Sequence, residues 1–194
     1  MTVARTPPAG YRAVGMRFDS TVNGDRPSSS TRAEHPKRTL PRALLLLAPI
    51  VFGLHVVEEA PRFVAWFNSL VEPDITEGLF LAVNVVGLLI TLAVAASLVV
   101  SSEKAVGLLG LAWFGLLFFA NAILHLTATW VHQRYSPGSI TGATLYIPYF
   151  VALFQLVRSR LGVSLPTALL ASAIGAAPML AHGYLIVFRG SRLF

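Results

Sequence analysis

Five long apolar runs follow one another after residue 42, separated by short polar breaks, and none alternates in the two-residue rhythm of a strand. They extend from Ala43 to Trp66, Leu79 to Val100, Ala105 to Val131, Ile140 to Val157 and Leu165 to Phe188. A helix needs ~20 mostly apolar residues to cross a bilayer, and each run comes close to that. The pattern predicts an all-α fold, a polytopic transmembrane helix bundle of about five spanning helices. It argues against a β-barrel and contains no internal repeat. The first run is the least regular, interrupted by Pro49, His55, Glu58, Glu59 and Pro61.

Residues 1–39 have no apolar period and are rich in Arg, Pro, Ser and Gly. They read as a disordered basic tail ahead of a transmembrane domain at 40–194. Asp19, Asp25 and Glu34 argue against a transit peptide, which avoids acids. Met16 is an alternative start.

Composition supports the membrane reading. Hydrophobic residues make up 55% and charged residues 12%, against roughly 25% charged in a soluble domain. So little charge could not coat a water-facing surface. The net charge of +6 does not indicate nucleic acid, because eight of the fifteen Lys and Arg lie at or before Arg42. Beside the first span they act as topology signals. The connection 68–78 carries Glu72, Asp74 and Glu77 and no Lys or Arg. The expected orientation therefore has the N-terminus in the cytoplasm of a cell whose inner (plasma) membrane holds the protein, with the acidic loop outside. Arg134, Arg189 and Arg192 run against this rule. With no cysteine, thiolate metal sites, disulfides and cysteine nucleophiles are excluded.

Ionisable residues within a span are costly and signal function. At a rise of ~1.5 Å per residue, His55 lies ~18 Å and Glu58 and Glu59 ~23 Å from the cytoplasmic end of their helix. On the same measure Asn84 and Asn121 lie at ~24 Å, His182 at ~26 Å and His125 at ~30 Å. Four helices thus place polar side chains in one slab. At about 100° per residue, His55, Glu58 and Glu59 share one side of their helix, as do Asn121 and His125, four apart. Thr129 and His132 extend the second stripe.

Imidazole and carboxylate without thiolate suit zinc, non-haem iron or manganese. The candidate ligands are His55, Glu58, Glu59, His125 and His182, and helix bundles build such sites from facing helices. Glu58, Glu59, Asn84 and Asn121 are the candidate catalytic groups, the Asn pair orienting ligands or substrate. Without a metal, two adjacent carboxylates at low dielectric would share a proton and serve as acid or base. Simpler readings stand beside these. Arg62 is spaced to pair with both acids. Pro61 would then end the span in the headgroups, where Phe63, Trp66 and Phe67 would form an aromatic belt. His182, Asn84 and Asn121 taken singly suit helix–helix hydrogen bonds. Tyr135-Ser-Pro-Gly138 predicts a type II turn with Pro137 and Gly138 in its central positions.

At His55-Val-Val-Glu58-Glu59 the chain resembles the HXXEE-domain family of bacterial membrane proteins, and Asn121, His125 and Tyr135-Ser-Pro-Gly138 resemble that family's later elements. The resemblance covers about Ala43 to Val157. It implies an integral membrane protein, with His55, Glu58 and Glu59 as functional residues, and no assigned reaction. The expectation is a membrane-embedded enzyme acting on a lipophilic small molecule through a His/Glu/Asn cluster with a divalent metal. The alternatives are a proton-coupled carrier or membrane chaperone using the cluster as a relay, and a structural membrane subunit.

Overall fold

Helix boundaries fall where the sequence supplies a cap or a breaker. The computed structural model describes residues 40–72 and 74–192. Among them are six helices and no strand: α1 (Arg42–Glu59), α2 (Phe63–Asn68), α3 (Glu77–Val100), α4 (Lys104–His132), α5 (Ser139–Leu161) and α6 (Leu165–Arg189). The Thr76 hydroxyl caps α3 by accepting from the Leu79 N–H at 3.1 Å, with Glu77 in the first turn. Ser164 caps α6 in the same way, with Pro166 just inside the helix. Gly162, at φ 64°, ends α5 in the left-handed conformation that a glycine tolerates best.

Helices α3, α4, α5 and α6 are long and apolar enough to cross a membrane. Helix α1 has 18 residues, carries Arg42, Glu58 and Glu59, and packs beside α3 and α5. Together they are the expected bundle. The first apolar run does not continue to Trp66 as one helix. Pro61 lacks an N–H and its ring crowds the preceding turn. The chain therefore tightens to an Arg62 N–H···O=C Glu59 bond of 3.0 Å, and Arg62 leaves helical geometry at φ −143°. The short α2 that follows does not form an interfacial belt: Trp66 and Phe67 are buried and pack with Leu124, Ala128 and Ile186. The Asn68 amide then clasps the loop, donating to the Ile75 carbonyl at 2.9 Å and accepting from its N–H at 2.8 Å.

Two features of α4, α5 and α6 position the site. Helices α4 and α6 touch through backbone: a Cβ added at Gly175 would lie 1.9 Å from the Ala112 carbonyl oxygen. In lipid, where no hydrophobic force drives helices together, such small-residue contacts supply the packing. Helices α4 and α5 also contain wide π-helical turns, at Gly115–Ala120 and Gly142–Tyr146. One ends immediately before Asn121 and the other begins immediately after Thr141. Such turns re-aim the side chains around them and recur at functional sites. The contacts divide the chain into Met1–His35 and Pro36–Phe194, and the second unit holds every residue described above. The expected tail at 1–39 and the Met16 start lie outside the described residues.

Candidate metal centre

The last two turns of α1 present three unusual residues, and the structure sends them to two destinations. His55 and Glu59, one turn apart, face α4, where His125 meets them. The His55 Nε2–Glu59 Oε1 distance is 3.4 Å and the His125 Nε2–Glu59 Oε1 distance 3.0 Å. All three residues are 5% exposed or less. One ligand-type atom from each lies within 4.8 Å of the others, the arrangement a small cation needs.

The rings are held from behind. His55 Nδ1 lies 2.7 Å from the Thr141 hydroxyl and His125 Nδ1 3.0 Å from the Ser136 hydroxyl. Metal-binding histidines commonly have the nitrogen away from the metal tied to a partner in this way, which fixes ring orientation. Both Nε2 atoms then face Glu59. Although it lies 3.0 Å from Glu59 Oε1, the buried His125 Nε2 makes no hydrogen bond among the described residues. A cation between these three atoms would satisfy it. The residues present fit a divalent metal.

Around the trio the walls are aromatic. Tyr146 stacks on His55 at 4.1 Å and Phe118 stacks on Tyr146 at 4.2 Å. Phe63 and Trp66 of α2 each lie 6.0 Å from His125, so the helix created by the Pro61 break covers the centre. Among the described residues, the buried Trp66 Nε1 and Tyr146 hydroxyl have no hydrogen-bond partner.

Glu58 goes elsewhere. Its Oε1 accepts from the Tyr135 hydroxyl and from the N–H groups of Gly138 and Ile140 at 3.1 and 3.0 Å. Its Oε2 accepts from the Thr141 N–H at 2.7 Å and from the Thr141 hydroxyl. A carboxylate from α1 therefore caps the N-terminus of α5, where unsatisfied N–H groups and the helix dipole favour negative charge. Partial burial and then the bond to Glu58 push the Tyr135 phenol up to about 12, so it stays protonated well past neutrality. Neither acid pairs with Arg62: among the described residues the ion-pair contacts are those of Glu59 with the two histidines.

The predicted turn is present. Ser139 N–H donates to the Ser136 carbonyl at 3.1 Å, and Gly138 has φ 98° and ψ −10°, the third-position geometry of a type II turn. This turn is the roof of the centre. A Cβ on Gly138 would lie 2.8 Å from His55 Cε1 and 3.1 Å from His125 Nε2.

Of the expected site residues, the structure brings together His55, Glu59 and His125, with Asn121 Nδ2 3.1 Å from His55 Nε2. Glu58 lies one bond further out, through Thr141. Asn84 does not join them; its amide donates to the Phe80 carbonyl of its own helix at 2.9 Å. His182 is buried on α6 and is not one of the three converging groups. Thr141, Ser136, Tyr146 and Trp66 were not anticipated, being ordinary residues of membrane helices and turns. The one clue was the Ser136-Pro-Gly138 turn following the Asn121–His125 stripe.

A family model described as protein of unknown function with HXXEE motif matches residues 46–153, more than half of the chain. That span begins in α1 and ends in α5, and it includes every contact of the trio described above. No curated protein and no solved structure matches the chain.

Proposed function

We propose, on the premise that the chain belongs to the family of proteins of unknown function with an HXXEE motif, that it is a membrane-embedded enzyme acting on a lipophilic small molecule with a divalent metal held by His55, Glu59 and His125. One observation carries the reading: three buried donor atoms from two helices converge within 4.8 Å, with both imidazoles anchored through Nδ1. Two histidines and one carboxylate are a donor set used by catalytic zinc and by non-haem iron, and both leave a coordination position open. A metal there supplies an activated water or a polarised substrate oxygen.

The chain's own residues support the rest. Asn121 stands beside His55 Nε2, placed to orient a ligand at the open position. An open surface groove lies on the outer side of the turn, lined by Leu126, Thr129, Trp130, Gln133, Arg134 and Tyr135. Two of its walls touch the centre's supports. Thr129 accepts from the Ser136 N–H at 3.0 Å, and Tyr135 donates to Glu58. A groove at the end of a membrane helix, with Trp130, Tyr135 and Arg134 along it, suits contact with an amphiphile at the bilayer surface. The basic residues at or before Arg42 support a cytoplasmic N-terminus in the plasma membrane.

A second reading is favoured by a chain of polar contacts. Glu58, Thr141, His55, Glu59, His125 and Ser136 form one unbroken sequence of polar contacts, which without metal would serve proton-coupled transport.

Metal analysis of detergent-purified protein separates the two. The enzyme reading predicts close to one equivalent of zinc, iron or manganese, lost in His125→Ala. The relay reading predicts metal-free protein whose liposomes show pH-dependent uptake, lost in Glu59→Gln. Protein that neither contains nor takes up these metals contradicts the enzyme reading.

A further inference from the structure

We propose that Glu58 and Thr141 are positioning residues that fix His55 in the neutral tautomer carrying its proton on Nδ1, leaving the Nε2 lone pair to the metal. A histidine ring has two equivalent-looking nitrogens, and only the partner of one decides which is the ligand. At His55 that partner is a hydroxyl, which could donate or accept. Its direction is set one step further out.

Among the described residues, all five hydrogen bonds of the Glu58 carboxylate come from N–H or O–H groups: the Tyr135 hydroxyl, the N–H groups of Gly138, Ile140 and Thr141, and the Thr141 hydroxyl. A carboxylate so surrounded is an acceptor throughout. The Thr141 proton therefore points to Glu58 Oε2. The other acceptor within reach, the Gly138 carbonyl, is 3.5 Å away, at the limit of a bond. With its single proton committed, Thr141 Oγ1 can only accept from His55 Nδ1, 2.7 Å away. His55 must then carry its proton there. On the other side, the Asn121 Nδ2 donor lies 3.1 Å from Nε2, nearer than the Glu59 Oε1 acceptor at 3.4 Å, and so agrees with a bare Nε2.

The same carboxylate thus serves two purposes. It caps α5, and it sets the proton of a histidine it does not touch. This accounts for both acids of the motif: Glu59 is a ligand and Glu58 an orienter of a ligand. The consequence for metal binding rests on the proposed function, but the tautomer does not.

The test is 15N NMR of metal-free, detergent-solubilised protein labelled at histidine, with His55 assigned by the signals missing from His55→Gln. The expected wild-type spectrum has His55 Nδ1 protonated and Nε2 bare. Thr141→Ser should keep that pattern, whereas Thr141→Val should lose it to a mixture. Glu58→Gln can turn its amide N–H toward Thr141, reverse the hydroxyl and move the proton to Nε2, with a 10–100-fold loss of metal affinity as for other outer partners. A wild-type His55 protonated on Nε2, or a Thr141→Val spectrum unchanged from wild type, overturns the proposal. A correct tautomer in protein that binds no metal overturns the metal reading instead.

Discussion

Gly138→Ala is expected to destabilise the protein by about 2–6 kcal/mol and to remove most of the proposed metal binding. Two costs combine. A backbone at φ 98° is one that alanine adopts only under strain, worth ~1–3 kcal/mol. The new methyl would then meet both imidazoles, at 2.8 Å from His55 Cε1 and 3.1 Å from His125 Nε2, and overpacking of that kind costs a further ~1–3 kcal/mol. The rings cannot retreat, because Tyr146 backs one and Trp66 and Phe63 cover the other. Thermal melting in detergent and metal content check the two effects. An alanine variant with wild-type melting and wild-type metal would mean that the turn does not roof the centre.

Glu58→Ala should be comparably damaging for a different reason. An N-terminal cap supplied by a single side chain is worth ~0.5–2 kcal/mol. Glu58 serves three N–H groups and two hydroxyls and joins α1 to α5. Its loss should exceed that range. Glu58→Gln keeps one acceptor oxygen and should lose less. The ordering of melting temperatures, wild type above Glu58→Gln above Glu58→Ala, is the check. If alanine and glutamine behave alike and lose little, the acceptor network contributes nothing to stability.

The apolar runs made four of the bundle's helices visible to within a few residues, because lipid demands long uninterrupted spans. The first was misjudged at its end. Hydropathy continues through Phe63–Phe67, and only the missing N–H of Pro61 divides the helix and folds Trp66 over the site. Depth and helical phase placed His55, Glu59 and His125 only within a wider set that also held Glu58, Asn84, Asn121 and His182. What periodicity could not do was tell Glu58 from Glu59. Adjacent residues on a helix point about 100° apart, and which one faces α4 depends on how α1 is rotated in the bundle, a tertiary fact. Asn84 and His182 show the same limit. Depth put both in the slab, yet Asn84 bonds its own helix, and neither is among the converging groups. Thr141 and Ser136, which hold the imidazoles, carry no sequence signal beyond flanking a Pro-Gly pair.

X-ray absorption at the zinc edge of zinc-loaded protein measures most directly whether His55, Glu59 and His125 form one metal centre. The expected result is a first shell of nitrogen and oxygen at ~2.0–2.2 Å with the outer-shell signature of two imidazoles, falling to one imidazole or to no bound zinc in His125→Ala. A shell without imidazole, or one that His125→Ala leaves unchanged, would contradict it.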